Sequence, residues 1–204
     1  SGVGGGDLGL AQAGMETIWQ VENNRDAISV LEHHWPNVKR YGDIREVNGY
    51  ELEPVDLIIG GFPCQNLSVA GKRKGLHGEQ SGLWFEFKRL LGECRPPWVL
   101  IENVPGLLNS NGGRDMATVL GGLEECGYKW SYRILDSQYA GVPQRRRRVY
   151  IVGHLGDWRC AAQVLFESEG VSGDIATRRK AGQEVAYTLR ANPSRSGDKG
   201  DGRV

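Results

Sequence analysis

Apolar runs alternate with helical patterns along the first three quarters of the chain. Short apolar runs predict strands, whereas apolar residues that recur every three or four positions predict amphipathic helices. Strands are predicted at residues 17–21, 55–59, 98–101, 128–135 and 148–152, and helices at residues 25–35, 83–93 and 116–126. Because such alternation is typical of a parallel sheet covered on both faces, the pattern predicts an α/β fold.

The pattern weakens after about Gly156. Further strands are predicted over residues 162–167 and 185–190, while residues 192–204 are glycine, serine and charged residues with little to bury. We expect that last stretch to be disordered. The chain opens on a glycine-rich loop, residues 1–6, with no strand before it. We therefore expect the chain to be truncated at both ends.

The composition and charge of the chain exclude several classes of protein. The 204 residues are 39% apolar and 25% charged, and 25 basic residues balance 25 acidic ones. Zero net charge excludes a strongly basic coat over the whole chain but leaves room for a local basic patch. The longest apolar run, around residues 55–62, is too short to span a bilayer, and no secretion signal opens the chain. Four widely spaced cysteines without a C-x-x-C pair argue against a zinc knuckle and for a reducing cytosol.

Polar residues follow three of the predicted strands. Glu22, the loop at residues 62–65 and Glu102 each come directly after an apolar run. Ligands of open α/β sheets bind beyond the carboxyl ends of the strands. The sequence therefore predicts that these three positions face one crevice.

The glycine-rich opening is a candidate nucleotide site. Residues 4–9 match the spacing G-x-G-x-x-G, and Glu22 is an acid after the next strand that could bind ribose hydroxyls. This spacing cannot separate a dinucleotide from S-adenosylmethionine. A nicotinamide-dependent dehydrogenase and a merely flexible loop both stay open on this feature.

Cys64 is a candidate nucleophile. A lone cysteine after a strand is most commonly a small buried apolar residue. Here the thiol follows Pro63 at a strand end, and Lys72, Arg73 and Lys74 downstream would favour a thiolate. No histidine lies nearby in the sequence, which argues against a cysteine–histidine protease.

Glu102 and an arginine run complete the candidate chemistry. A carboxylate buried at a strand end is costly unless it is paired. Arg146 and Arg148 would share one face of the strand that follows, and one of them could reach the acid. Arg145 and Arg147 would face solvent or phosphate. A structural acid and a solvated charged face are the alternatives.

Taken in order, these segments resemble the DNA (cytosine-5)-methyltransferases of bacterial and phage type. The resemblance rests on residues 61–65, 102–104 and 144–148, supported by residues 1–5, 42–44 and 81–85. It covers about residues 1–153. It implies a Rossmann-like S-adenosylmethionine-dependent methyltransferase sheet with helices on both faces, plus the start of a smaller recognition region. The implied division is a catalytic domain at 1–155 and a partial target-recognition region at 156–204.

The resemblance also implies a role for each matching residue. Cys64 attacks C6 of a flipped cytosine, Glu102 contacts N3, and Arg146 and Arg148 hold the base and Glu102. The implied contacts to S-adenosylmethionine are Gly2, Val3, Gly4, Gly5, Glu22, Asp43, Ile44, Pro63 and Leu83. Among these, Glu22 takes the ribose hydroxyls and Asp43 the adenine amino group. The implied DNA contacts are Gln65, Ser68, Lys72 and Asn103, and no metal is expected.

The same resemblance implies duplex DNA as the partner, a monomeric cytoplasmic enzyme of a bacterial or phage-infected cell, and no membrane. It leaves open a functional pairing with a restriction endonuclease. Two further hypotheses remain: an RNA-directed enzyme that methylates cytosine in tRNA, and a non-catalytic remnant that only binds nucleic acid.

Overall fold

The computed structural model of the protein describes residues 1–63, 82–141 and 143–166 and the backbone of 186–187. The helices are α1 Gly5–Gln12, α2 Arg25–His34, α3 Gly82–Cys94, α4 Arg114–Glu125 and α5 Trp158–Leu165. The strands are β1 Trp19–Val21, β2 Lys39–Tyr41, β3 Leu57–Gly60, β4 Trp98–Asn103, β5 Tyr128–Asp136, β6 Gln144–Arg145, β7 Arg147–Leu155 and β8 Ala186–Tyr187. The stretch predicted to be disordered, 192–204, lies outside the described residues.

The described residues fall into two compact units. The first comprises residues 1–135 and 147–166, and the second comprises residues 136–146 with β8. In the second unit, β6 pairs with β8 in parallel, so the strand predicted at 185–190 is present as a two-residue strand. Helix α5, beyond residue 155, packs on β7 within the first unit.

Two sheets form the first unit. One has four strands in the order β3-β4-β7-β5, and the other pairs β1 with β2 in parallel. Strands β3 and β4 are parallel, but β7 runs antiparallel to β4. The prediction of a wholly parallel sheet is therefore wrong at β7, because no local sequence pattern records the direction of a neighbouring strand.

Helices cover both faces of the four-stranded sheet, as predicted. Val99 and Ile101 of β4 are fully buried in the main core against α3 and α4. Leu100, on the other face, packs in a separate cluster with Ala161 and Leu165 of α5. Alternate residues of one strand thus face two different helical layers.

Two local predictions need correction. Residues 162–165 belong to α5 and not to a strand, because Trp158, Ala161 and Leu165 already follow a helical spacing and Asp157 caps the helix by accepting from the Arg159 N–H at 2.9 Å. Strand β2 was not predicted. It has three residues, none of them aliphatic, and its pairing with β1 defines it.

The glycine-rich opening is more ordered than a loop. Helix α1 begins at Gly5, and Gly4 before it has a left-handed backbone with φ of 83°. A Cβ at Gly4 would lie 2.4 Å from the ring of Trp35 and 3.0 Å from Leu31. Glycine is thus required here by backbone conformation and by the close approach of α2.

Candidate active site

A cavity of about 680 Å³ lies in the first unit. Four of the residues predicted to contact a cofactor line it, namely Glu22, Asp43, Ile44 and Leu83. Five others, Gly2, Val3, Gly4, Gly5 and Pro63, are not among the described residues that line it. The volume is within the usual range for a small-molecule site.

Strands of both sheets also line the cavity. Its walls include Trp19 and Val21 of β1 and the whole of β3, with Phe87 and Leu90 contributed by α3. Sequence reasoning missed these lining residues. They are apolar or backbone positions whose exposure to a cavity depends on how β1 and β3 face each other.

Glu22 follows β1 and is held mainly by backbone groups. Its Oε2 accepts from the Gly2 N–H at 2.6 Å, and its Oε1 accepts from the N–H groups of Asn23 and Asn24 at 3.1 and 2.9 Å. Burial would raise the pKa of Glu22. The hydrogen bonds from the N–H groups of Asn24 and Gly2 are the largest contributions in the opposite direction, and this pKa lies below its ordinary value. The carboxylate is therefore ionised and fixed in direction.

Asp43 begins a short 3₁₀ turn, Ile44–Glu46, at the cavity wall. Its Oδ1 accepts from the Arg45 N–H at 3.0 Å, and its Oδ2 lies 3.6 Å from Arg45 Nη1. The side chain thereby caps the turn. The turn sets Asp43 and Ile44 side by side at the cavity.

Glu102 and Arg148 pair across β4 and β7. Glu102 is the second-last residue of β4 and lies opposite Tyr150 in the ladder, which places Arg148 on the same face two positions away. Arg148 Nε lies 3.1 Å from Glu102 Oε1. The Glu102 side chain keeps 36% of its surface exposed and Arg148 keeps 19%. The predicted pairing of the strand-end acid with an arginine is confirmed for Arg148.

Arg146 belongs to the second unit. Its backbone N–H donates to Asp136 Oδ1 at 3.1 Å, and its carbonyl accepts from the Ser137 N–H at 3.1 Å. The arginine run is divided at this residue between β6 and β7. Burial alternates along the run as predicted: Arg145 and Arg147 are exposed, whereas Arg146 and Arg148 are half-buried. A catalytic role for Arg146 stays a prediction.

Asn103 is buried at the end of β4. Its Nδ2 donates to the Phe62 carbonyl at 2.9 Å, and its Oδ1 accepts from the Val104 N–H at 2.8 Å. A Cβ at Gly61 would lie 3.1 Å from the Glu102 carbonyl. The backbone that leads to Pro63 is therefore packed against the end of β4. A DNA contact by Asn103 stays a prediction, and the structure engages both ends of its amide with backbone groups.

Four predicted residues, Cys64, Gln65, Ser68 and Lys72, lie outside the described residues. The described chain stops at Pro63, one residue before the predicted nucleophile. Two of the three predicted strand ends thus meet through Asn103 and Phe62, and the third carries Glu22 at the cavity.

The part of the chain that the structure describes contains neither a metal-binding cluster nor a membrane-spanning helix. Among residues 1–63, 82–141 and 143–166, no group of three or more histidine, cysteine or acidic side chains could hold a metal ion. Within the same part of the chain, no helix is long and apolar enough to cross a membrane.

Comparison with known proteins decides the family. The model of the C-5 cytosine-specific DNA methylase family matches residues 1–192. The chain belongs to this family. It is 43% identical over 179 residues to the type II methyltransferase M2.BsuMI of Bacillus subtilis. This match covers 86% of this chain and 45% of the relative. It is 32% identical to a DNA N-6-adenine-methyltransferase of Escherichia phage P1, over 94% of this chain and 32% of the relative.

A solved structure supports the fold of this C-5 cytosine-specific DNA methylase family member. A putative DNA modification methyltransferase encoded within an Escherichia coli prophage matches with a TM-score of 0.63 and 28% identity, over 76% of this chain and 44% of that one. The predicted Rossmann-like methyltransferase fold is confirmed. The chain spans less than half the length of these relatives.

Proposed function

We propose that the protein transfers a methyl group from S-adenosylmethionine to C5 of cytosine in duplex DNA. The observation that carries the proposal is the Glu102–Arg148 pair, 3.1 Å apart, beside the backbone that leads to Cys64. The pair holds a carboxyl group in a position from which it could contact N3 of a cytosine. Residues 1–155 would form the catalytic domain, and residues 156–204 would begin the target-recognition region.

The cavity suits S-adenosylmethionine. Glu22 presents an ionised carboxylate that accepts three backbone hydrogen bonds, and its remaining acceptor capacity can take a ribose hydroxyl. Asp43 also lines the cavity, where it could accept a hydrogen bond from the adenine amino group, and Leu83 adds apolar surface. When bound, S-adenosylmethionine supplies an electrophilic methyl group on its sulfonium.

Cys64 would begin the reaction by adding its thiolate to C6 of the cytosine ring. This addition saturates the 5,6-bond and makes C5 nucleophilic. Glu102 would hydrogen-bond N3 and stabilise the charge that develops there, while Arg148 keeps Glu102 in position. After C5 has taken the methyl group, a base removes the C5 proton and the thiolate leaves, which restores the double bond.

The target cytosine must be flipped out of the DNA duplex, because a stacked cytosine cannot be attacked at C6. Gln65, Ser68 and Lys72, in the segment after Cys64, would contact DNA around the flipped base. Since the chain has no net charge, this binding would depend on a local basic face and weaken with added salt. We further propose a monomeric cytoplasmic enzyme, with a restriction endonuclease as its functional counterpart.

Covalent trapping tests the proposal. The full-length protein is incubated with S-adenosylmethionine and duplex DNA that carries 5-fluorocytosine. Fluorine cannot leave as a proton does, so the enzyme should stall as a denaturant-resistant adduct on Cys64. The adduct should require S-adenosylmethionine and disappear in Cys64→Ser. Absence of any adduct from a folded protein that methylates DNA would contradict the proposed chemistry.

Product analysis addresses the other activities. One relative is named as an adenine N6 methyltransferase, so the methylated DNA is digested and both 5-methylcytosine and N6-methyladenine are measured. We expect 5-methylcytosine alone. A preference for tRNA over duplex DNA would favour the RNA-directed hypothesis, and no methylation of either would favour a binding remnant.

A further inference from the structure

Arg89, on α3, holds the turn that forms one wall of the cavity. Its Nη2 donates to the Ile44 carbonyl at 2.8 Å, and its Nη1 donates to the Val47 carbonyl at 3.0 Å. Ile44 and its neighbour Asp43 both line the cavity. One side chain from another element therefore anchors two carbonyl groups of this wall.

Arg89 is itself fixed by two acids on the same helix. Its Nε donates to Glu86 and its Nη1 to Glu93, each at 2.8 Å. The hydrogen bond from Arg89 to Glu86 is the largest of several contacts that raise the pKa of the guanidinium. Burial would raise the pKa of Glu93, but the hydrogen bonds from Arg89 and the Gly49 N–H lower it below its ordinary value. Arg89 and Glu93 are thus ionised near neutral pH, and their hydrogen bonds orient them.

Glu93 extends the same contact to the next turn. Its Oε2 accepts from the Gly49 N–H at 2.8 Å, at the start of the 3₁₀ turn Gly49–Glu51. A Cβ at Gly49 would lie 2.7 Å from Glu93 Cβ, so the two backbones are in close contact. Leu90, between Arg89 and Glu93 on α3, packs with Val47 and Leu52. Helix α3 therefore supplies both the apolar and the polar support for residues 44–52.

We propose that Arg89, assisted by Glu93, is a positioning residue that sets the preference of the cavity for an adenine ring. It fixes the peptide of Ile44 and so the direction of Asp43, which would accept from the adenine amino group. This inference rests on the proposed function, because it assumes that the cavity takes an adenosyl ligand. Lysine cannot replace Arg89, because a single ammonium does not match two carbonyls and two carboxylates held in a planar fork.

Ligand pairs that differ only at the base test the proposal. Dissociation constants are measured by calorimetry for S-adenosylhomocysteine and S-inosylhomocysteine, which carries a 6-oxo group in place of the amino group. Arg89→Lys in the full-length protein should lower the adenosyl-to-inosyl affinity ratio about tenfold, mostly through weaker adenosyl binding. A residue needed only for folding would weaken both ligands together and leave the ratio unchanged.

Variants of the neighbouring residues keep the test decisive. Lys88→Gln removes a different α3 ion pair, with Glu125 of α4, and should keep the wild-type ratio. Glu93→Gln retains an acceptor and should keep an adenosyl-to-inosyl affinity ratio near that of the wild type. Glu93→Ala should lower this ratio, and it provides the test if Arg89→Lys does not fold. Wild-type ratios in folded Arg89→Lys and Glu93→Ala would overturn this inference but not the proposed function. Failure of the wild-type protein to bind S-adenosylhomocysteine would overturn the proposed function as well.

Discussion

The two acids at the strand ends are held in different ways. Glu22, on the cofactor side, accepts hydrogen bonds from three backbone N–H groups within 3.1 Å, two from the residues that follow it and one from Gly2. Glu102, on the proposed base side, is paired with the side chain of Arg148, 46 residues further along the chain. A backbone-held carboxylate is preorganised once the chain around β1 and the glycine-rich opening are in place. A side-chain pair requires the correct alignment of two strands, so the base side should be the more sensitive to substitution.

The largest expected effect separates the two sides completely. Cys64→Ser should reduce methyl transfer by about 10³-fold or more, because an alcohol ionises far less than a thiol. Affinity for S-adenosylhomocysteine should stay within about twofold of wild type, since Cys64 is not among the residues proposed to contact the cofactor. Radiolabelled methyl transfer and calorimetry give the two values. Full activity in this variant would remove Cys64 as the nucleophile.

Substitution at the base side should affect the rate and not the cofactor affinity. Glu102→Gln should slow transfer by about 10²-fold, because the group that stabilises charge at N3 is lost. Arg148→Lys should slow it by about tenfold, because lysine lacks the planar donors that hold the acid. Single-turnover kinetics at saturating cofactor measure both. Equal losses of cofactor affinity in these variants would mean that the two sides are coupled.

Substitution at the cofactor side should give the reverse pattern. Glu22→Gln should weaken S-adenosylhomocysteine binding by about 10- to 100-fold, because it replaces an ionised acceptor by an amide that faces backbone donors. Glu32→Gln, on the exposed side of α2, is the matched control and should bind normally. If both variants bind alike, the cofactor does not use Glu22.

Asn103 tests whether the junction between the two sides is structural. Asn103→Ala leaves the Phe62 carbonyl and Val104 N–H without their partner and should lower the free energy of unfolding by about 1–3 kcal/mol. Asn109→Ala, at an exposed turn, should change stability little. Denaturant unfolding measures both. Weaker DNA binding with unchanged stability would instead support the predicted DNA contact.

The smallest expected effect is the pH dependence of cofactor binding. Because the pKa of Glu22 lies below its ordinary 4.5, the carboxylate keeps its charge as the pH falls toward that value. A group with a lowered pKa contributes above its unfolded pKa and loses the contribution as pH falls through its folded pKa. Affinity for S-adenosylhomocysteine should therefore be flat from pH 7 to pH 5 by calorimetry. A decline centred near pH 6 would contradict the backbone-held state of Glu22.

Local signals were sufficient for much of the fold. Helix α2 was predicted within one residue, because Pro36 follows its end, and the structure adds Asn24 as the cap of its start. Strand β4 and helix α3 followed from strong apolar patterns. Strand β2 and the antiparallel direction of β7 could not be predicted, because pairing with distant strands determines both.

Some residues of the candidate site could be predicted from the sequence, and others could not. Glu22, Asp43, Ile44 and Leu83 were predicted from motifs and line the cavity. Arg89 was missed, because an arginine on an amphipathic helix is usually solvated and its contacts with Ile44 and Val47 span more than 40 residues of sequence. The buried position of Asn103 was missed for a similar reason, since its partner carbonyl belongs to the end of another strand.

The reversed direction of β7 has a consequence for how the site is assembled. A strand that runs against its neighbour brings its first residues, and not its last, to the carboxyl edge of the sheet. Strand β7 has nine residues, so in a parallel orientation Arg148 would lie roughly 25 Å away at the opposite edge. Arg148, near the start of β7, therefore lies beside Glu102, while the end of β7 lies at the opposite edge of the sheet and continues into α5.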